Sequence, residues 1–131
     1  MIIPYVYDAG ALIALDRGER PAWARHRLAV EDARRVVVPS VVVAQVWRDG
    51  RRQPDLGRLL HSCEIVPAGD TLARVAGQLC GQAGTSDVVD AIVLVTAQAC
   101  GVAIIWTSDP NDLDHLRRSG GQPEHVLIRK T

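Results

Sequence analysis

Residues 85–110 read TSDVVDAIVLVTAQACGVAIIWTSDP, and this stretch decides the fold class. Thr85-Ser86-Asp87 opens a long apolar helix running through Cys100, and Gly101 takes the position just past its end, where a left-handed backbone is favoured. Val102 to Trp106 follows as a continuous apolar run, the pattern of a strand buried on both faces. Asp109-Pro110 then supplies an N-cap with proline at the first helical position. Helix, strand and helix in direct succession form one unit of an alternating α/β chain.

The same alternation extends outward. Ile2 to Tyr7 is a strand candidate ended by Asp8, and Ala9 to Leu15 is a helix closed by Gly18 and Pro21. Trp23, His26, Leu28 and Val30 lie on a second helix ending near Ala33, and Val36 to Val38 forms a short buried strand stopped by Pro39. Ser40 caps a helix that carries Val43, Val46 and Trp47 and runs to Gly50. Leu56, Leu59 and Leu60 mark a further helix, Glu64 to Val66 a strand, and Leu72, Val75, Ala76 and Leu79 a helix ending near Gly84. The last helix ends near Gly120, and Val126 to Ile128 adds an edge strand. Strands alternating with helices imply three layers, a central parallel sheet with helices on both faces. In that architecture a site lies beyond the carboxyl ends of the strands, where the strand order switches.

Composition bounds the function. The chain has 131 residues, 47% apolar and 23% charged, which fits one domain spanning 1–131 and argues against disorder. Fifteen basic residues balance fifteen acidic ones, so no global field announces a polyanion partner. Lys130 is the one lysine, and the remaining basic residues are arginines, the better groups for bidentate phosphate contacts. Cys63, Cys80 and Cys100 are too far apart for a CxxC pair and read as thiols of a reducing compartment. No apolar run reaches membrane-spanning length, and the opening MIIPYVYDAG lacks a basic leader region, so a soluble cytoplasmic protein is expected.

Three places then draw attention. Asp8 follows the first strand and opens a helix, and Asp109 does the same after the apolar strand. Asp87 and Asp90 sit three residues apart at the start of the long helix, on one face. Carboxylates brought together repel unless a cation neutralises them, and hard oxygen ligands suit Mg²⁺ or Mn²⁺. A plain alternative holds for Asp8, Asp87 and Asp109, since aspartate is a leading N-cap residue. Asp90 lies inside the first turn, ahead of Ala91-Ile92-Val93-Leu94-Val95, where an acid needs a partner.

Taken in order, YDAGALIAL, VPSVVVAQVWRDG, SDVVDAIVLVTA and TSDPNDL resemble the motifs of PIN domains, and more narrowly those of the VapC toxins of bacterial type II toxin–antitoxin modules. The resemblance covers nearly the whole chain. It implies a PIN-like α/β/α sandwich around a parallel sheet. It also implies a Mg²⁺-dependent endoribonuclease, usually a homodimer, held inactive by a cognate VapB-like antitoxin. By position, Asp8, Asp90 and Asp109 match the family's first, third and fourth acids, the set expected to hold the metal. Asp87 and Asp112 fall where extra acids occur, and Thr107 and Ser108 match hydroxyl positions that help hold the fourth acid.

The middle motif departs from the family. Its glutamate position is occupied by Gln45, an amide that accepts a hydrogen bond but is neutral and a poor base. Asp49, four residues on, falls one turn along the same helix face and could supply the charge, but Asp49 with Arg48 reads more readily as a solvated helix end. A second function class follows: a PIN protein without turnover, acting through antitoxin or RNA binding. Arg48, Arg51 and Arg52, with Arg117 and Arg118, are candidate phosphate contacts, although runs of arginine are commonly just a solvated surface. Trp23 and Trp47 read as core residues, and the four histidines share no ligand spacing. A phosphoacceptor receiver domain also gathers aspartates at strand ends, but it needs a lysine beside the pocket, and a dinucleotide-binding domain needs a GxGxxG that is missing after the first strand.

Overall fold

A computed structural model describes residues 2–121 and 123–131. The elements run β1 (Tyr5–Tyr7), α1 (Ala9–Asp16), α2 (Arg20–Glu31), β2 (Val36–Pro39), α3 (Ser40–Val46), α4 (Pro54–His61), β3 (Glu64–Val66), α5 (Asp70–Ala83), α6 (Val88–Ala99), β4 (Ala103–Thr107), α7 (Pro110–Ser119) and β5 (Val126–Lys130). The five strands form one sheet in the order β3-β2-β1-β4-β5, and every pairing is parallel. This is the expected α/β/α sandwich. Helix α6 packs across β1, β2, β4 and β5 with α5 and α7 behind it, while α1 packs on β1 and β4 and is flanked by α2, α3 and α4.

The chain leaves β1 toward β2 and later returns to its other side through β4, so the strand order switches between β1 and β4. Register places Tyr5 beside Ile104, Val6 beside Ile105 and Tyr7 beside Trp106. Asp8 therefore emerges at the carboxyl end of β1, and Ser108 and Asp109 emerge next to it from β4. This is the crevice at which α/β sheets bind ligands.

Local chemistry sets the ends of the elements. The carboxylate of Asp8 caps α1 by accepting the Ala11 N–H at 3.1 Å, Asp87 caps α6 through Asp90 N–H at 3.3 Å, and Asp109 caps α7 through Asn111 N–H at 3.3 Å. Gly101 ends the α6 segment at φ 86°, a conformation costly for residues bearing a Cβ.

Several expectations need correction. β1 begins at Tyr5, not Ile2. β4 is not buried on both faces: Ala103, Ile105 and Thr107 are buried, while Ile104 and Trp106 are half-buried. Trp106 faces α2, where the Arg25 guanidinium lies 3.8 Å from its ring centre and the edge of Tyr5 meets it at 5.5 Å. A charged lid of this kind covers an apolar strand face without an apolar partner. The strand buried throughout is β2.

Helix α3 stops at Val46 and does not reach Gly50, because Trp47 turns to an extended backbone at φ −68° and ψ 127°. The cause is Gln53. Its side-chain oxygen accepts the N–H groups of Arg48 and Asp49 at 2.7 and 3.1 Å, and its amide donates to the Val46 carbonyl at 3.0 Å. Asp49 thus sits in a turn, binding Arg51 N–H at 3.0 Å and pairing with Arg52 at 3.8 Å, and does not share a helix face with Gln45. Trp47 is 39% exposed and is not a core residue.

Candidate active site

Asp8 is buried, and three donors hold its carboxylate: the N–H groups of Ala11 and Gly10 and the hydroxyl of Thr107. Burial still raises its pKa above the ordinary aspartate value, with the charge of Asp109 pushing the same way. Thr107 is itself buried, and its oxygen accepts the Asp109 N–H at 3.1 Å. One hydroxyl therefore donates to Asp8 and accepts from Asp109, tying the ends of β1 and β4 together.

The second group of acids comes from α6 and α7. Asp87, Asp90 and Asp112 each offer a carboxylate oxygen, and these atoms lie within 4.8 Å of one another. They line a crevice of about 160 Å³ together with Thr85, His115 and Leu116. Asp90 is half-buried, and its pKa is pushed up to about 7. Burial is the main cause, followed by a hydrogen bond to Asp87 and by the charges of Asp87, Asp8 and Asp112. The carboxyl ends of β1 and β4 and the start of α6 thus share one field, which disfavours negative charge.

Of the residues singled out in the sequence, Asp87, Asp90 and Asp112 line this crevice and bring their oxygens together, while the charge of Asp8 acts on Asp90 and that of Asp109 acts on Asp8. Gln45 is exposed on α3, which packs against both α1 and α6. Asp49 is tied up in its own turn. Ser108 is exposed and backs against Gly10 of α1.

Two contributors escaped the sequence reading. Thr85 lines the crevice, and so does His115, whose Nε2–H donates to the Ala83 carbonyl at 2.9 Å. The signal for His115 was its position three residues after Asp112, which puts both on one face of α7. Arg117 and Arg118 do not stand free as phosphate contacts, since both bind Asp114.

Oxygen-only ligands at this spacing suit a hard divalent cation, which would offset both the burial and the neighbouring charges that raise the pKa of Asp90. Among the described residues no helix is long and apolar enough to cross a membrane.

Comparison with known proteins agrees with this geometry. The family model described as PIN domain matches residues 5–118. No curated protein matches the chain in sequence. Among solved structures, VapBC2 from Rickettsia felis, in a crystal structure bound to a DNA fragment from their promoter, is similar at 15% identity and a TM-score of 0.73, covering 100% of this chain and 99% of that chain. PAE2754 from Pyrobaculum aerophilum is similar at 18% identity and a TM-score of 0.59, covering 98% of this chain and 92% of that one. FitAcB from Neisseria gonorrhoeae gives 15% identity and a TM-score of 0.61, with 95% of each chain covered. With its sheet order, its acids at the β1/β4 switch and a family match over most of its length, the chain belongs to the PIN domain family.

Proposed function

We propose that the chain is a metal-dependent endoribonuclease, the toxin component of a VapC-like type II toxin–antitoxin module. One observation carries the reading: Asp87, Asp90 and Asp112 gather at the starts of α6 and α7, where burial first and the neighbouring carboxylates second push Asp90 up to a pKa of about 7. The names of the neighbours VapBC2 and FitAcB favour a VapB-like antitoxin as partner, and the proposal includes a homodimer acting in the cytoplasm.

Asp8, Asp90 and Asp109 would hold Mg²⁺ or Mn²⁺, with Asp87 and Asp112 as accessory acids. When bound, such a cation supplies Lewis acidity toward the phosphodiester and offsets the charge that develops on it. The protein's own groups do the remaining work. Thr107 and the N–H groups of Gly10 and Ala11 fix the Asp8 carboxylate in one orientation, so it needs no reorganisation during the reaction. The Gln45 amide is able to hydrogen-bond but accepts no proton.

That last property favours one second reading, a PIN protein disarmed at position 45 that acts by binding its antitoxin or RNA. The test is cleavage of structured tRNA and rRNA fragments in Mg²⁺ or Mn²⁺ by the native chain, Gln45→Glu and Asp8→Asn. Metal-dependent cutting by the native chain, lost in Asp8→Asn, is the expected result. A silent native chain with an active Gln45→Glu moves the conclusion to the disarmed form. Silence of both overturns the nuclease reading.

A further inference from the structure

We propose that the cleft between α2 and α4 is an anion subsite that grips a phosphate of the RNA strand away from the acidic crevice; this rests on the ribonuclease reading above. The cleft has a volume of about 430 Å³ and is lined by Arg20, Trp23, Ala24, Arg27, Asp55 and Arg58. A volume of this size accepts a nucleotide-sized ligand. Arg20, Ala24 and Arg27 recur at helical spacing along α2, so two guanidinium groups share one face with only a methyl group between them.

On the facing helix, Arg58 pairs with Asp55 at 2.7 Å, and its guanidinium stands 5.5 Å from the Trp23 ring centre. The Trp23 indole N–H donates to the Leu15 carbonyl at 2.8 Å, which fixes the ring and occupies its one donor. Three arginines thus face one aspartate. Among the described residues no acid pairs with Arg20 or Arg27, whereas Arg35, Arg74 and Arg118 each have a carboxylate partner.

The location fits a strand leaving the acidic crevice. A groove of about 320 Å³ lined by Gly10, Ile13, Ala14, Arg17, Glu19 and Ser108 follows α1. It starts beside Asp109, next in the chain to Ser108, and reaches Arg17. Gly18, the next residue, borders the arginine cleft. The path is roughly the length of α1, about 12 Å for a helix of this size. Thr131 also lines this groove, and Glu19, its one acidic side chain, is flanked by Arg17 and Arg20. An acidic peptide would also satisfy guanidinium groups, but a fixed indole beside them matches an anion that carries a base.

The test is binding of a short, labelled, single-stranded RNA by fluorescence anisotropy in EDTA, across a salt series, so that cleavage plays no part. Arg20→Gln/Arg27→Gln is compared with Arg35→Gln/Arg74→Gln, which removes equal charge elsewhere, and with Arg20→Lys/Arg27→Lys, which keeps the charge. Thermal melts confirm that each variant is folded. We expect the first pair to weaken binding about tenfold and to reduce the slope of log K against log salt by about 1.4, or ~0.7 per lost phosphate contact on a single strand. The lysine pair should keep most of that slope.

Equal loss in the Arg20/Arg27 and Arg35/Arg74 pairs overturns the subsite. So does a defect confined to a glutamate-rich peptide, which would assign the cleft to a protein partner. Cleavage by the same variants separates the two readings. RNA that is cut, yet bound without regard to Arg20 and Arg27, sinks the subsite alone; arginine-dependent binding with no cutting sinks the nuclease alone.

Discussion

Gly10 and Ser108 are packed so closely that a β-carbon on Gly10 would lie 2.6 Å from both the Cβ and the backbone nitrogen of Ser108. The backbone of α1 therefore touches the loop that carries Asp109. In an exposed helix, Gly→Ala gains about 1 kcal/mol from propensity. Here the sign reverses, because the neighbour in contact is partly backbone and cannot swing away. Gly10→Ala should destabilise by about 1–3 kcal/mol, the usual cost of forcing extra volume into a packed contact. It should also weaken Mn²⁺ binding measured by calorimetry, since the loop moves relative to Asp8. Ser108→Gly in the same chain should recover part of both losses, and a lack of recovery would place the strain elsewhere.

Thr107 joins the two strand ends through one hydroxyl, so its removal should be felt by both acids. Thr107→Val keeps the shape but leaves the Asp109 N–H without its acceptor and Asp8 without a donor. Unmet polar groups of this kind cost about 1–3 kcal/mol. Loss of the donor also moves the Asp8 pKa further up, so the pH at which cleavage reaches half its plateau should shift upward. Thr107→Ser restores the hydroxyl and should restore the profile. An unchanged pH profile in Thr107→Val would show that the hydroxyl does not tune Asp8.

One residue before Asp8, Tyr7 is anchored by a chain of hydrogen bonds, buried at its Tyr7–His26 end, whose direction is fixed. The Ser62 hydroxyl donates to the Leu59 carbonyl at 2.7 Å, so it accepts from His26 Nε2–H at 2.7 Å, and His26 Nδ1 accepts from the Tyr7 hydroxyl at 2.9 Å. The chain links β1, α2 and the end of α4. Tyr7→Phe leaves Nδ1 buried without a donor and should cost about 1–3 kcal/mol in denaturant unfolding. Burial lowers the His26 pKa below its ordinary value near 6.5. Its contribution to stability is therefore complete above about pH 6.5 and declines as the pH falls toward the lowered folded value. His26→Gln should be less stable at neutral pH and should lack this decline.

The acids of the candidate site stood out in the sequence because two independent requirements coincide at the same positions. Asp8, Asp87 and Asp109 are needed as helix caps, and the parallel topology places the helices they cap at a strand-order switch. What was not legible depends on contacts between distant segments. Helix α3 ends early because an amide at Gln53 reaches back to Val46, and no local signal at Trp47 or Gly50 encodes that. The apolar run of β4 hides a half-open face because Arg25, from α2, lies over Trp106. Asp112 joins Asp87 and Asp90 only through the packing of α7 on α6, so the tightest oxygen set differs from the one that motif positions suggested.

The raised pKa of Asp90 gives the site a measurable cost in stability with a definite sign. Its folded value is about 7, against an ordinary value near 3.8. Unfolding therefore releases a proton between these limits, and the folded state loses stability as the pH rises from about 4 to 7. Asp90→Asn removes the charge and should melt above the native chain at pH 8. Asp90 is partly exposed, so solvent screening leaves about 1 kcal/mol of the effect, or about 4 °C in Tm. The gap should close as the pH approaches 4, where both chains are neutral at this position. This trend runs opposite to that of His26 over part of the same range, so the difference between native and Asp90→Asn melts isolates it. Mn²⁺ should raise the Tm of the native chain at pH 8 and have little effect on Asp90→Asn. Equal melting of the two chains at pH 8 without metal would mean that the carboxylates do not repel one another in solution.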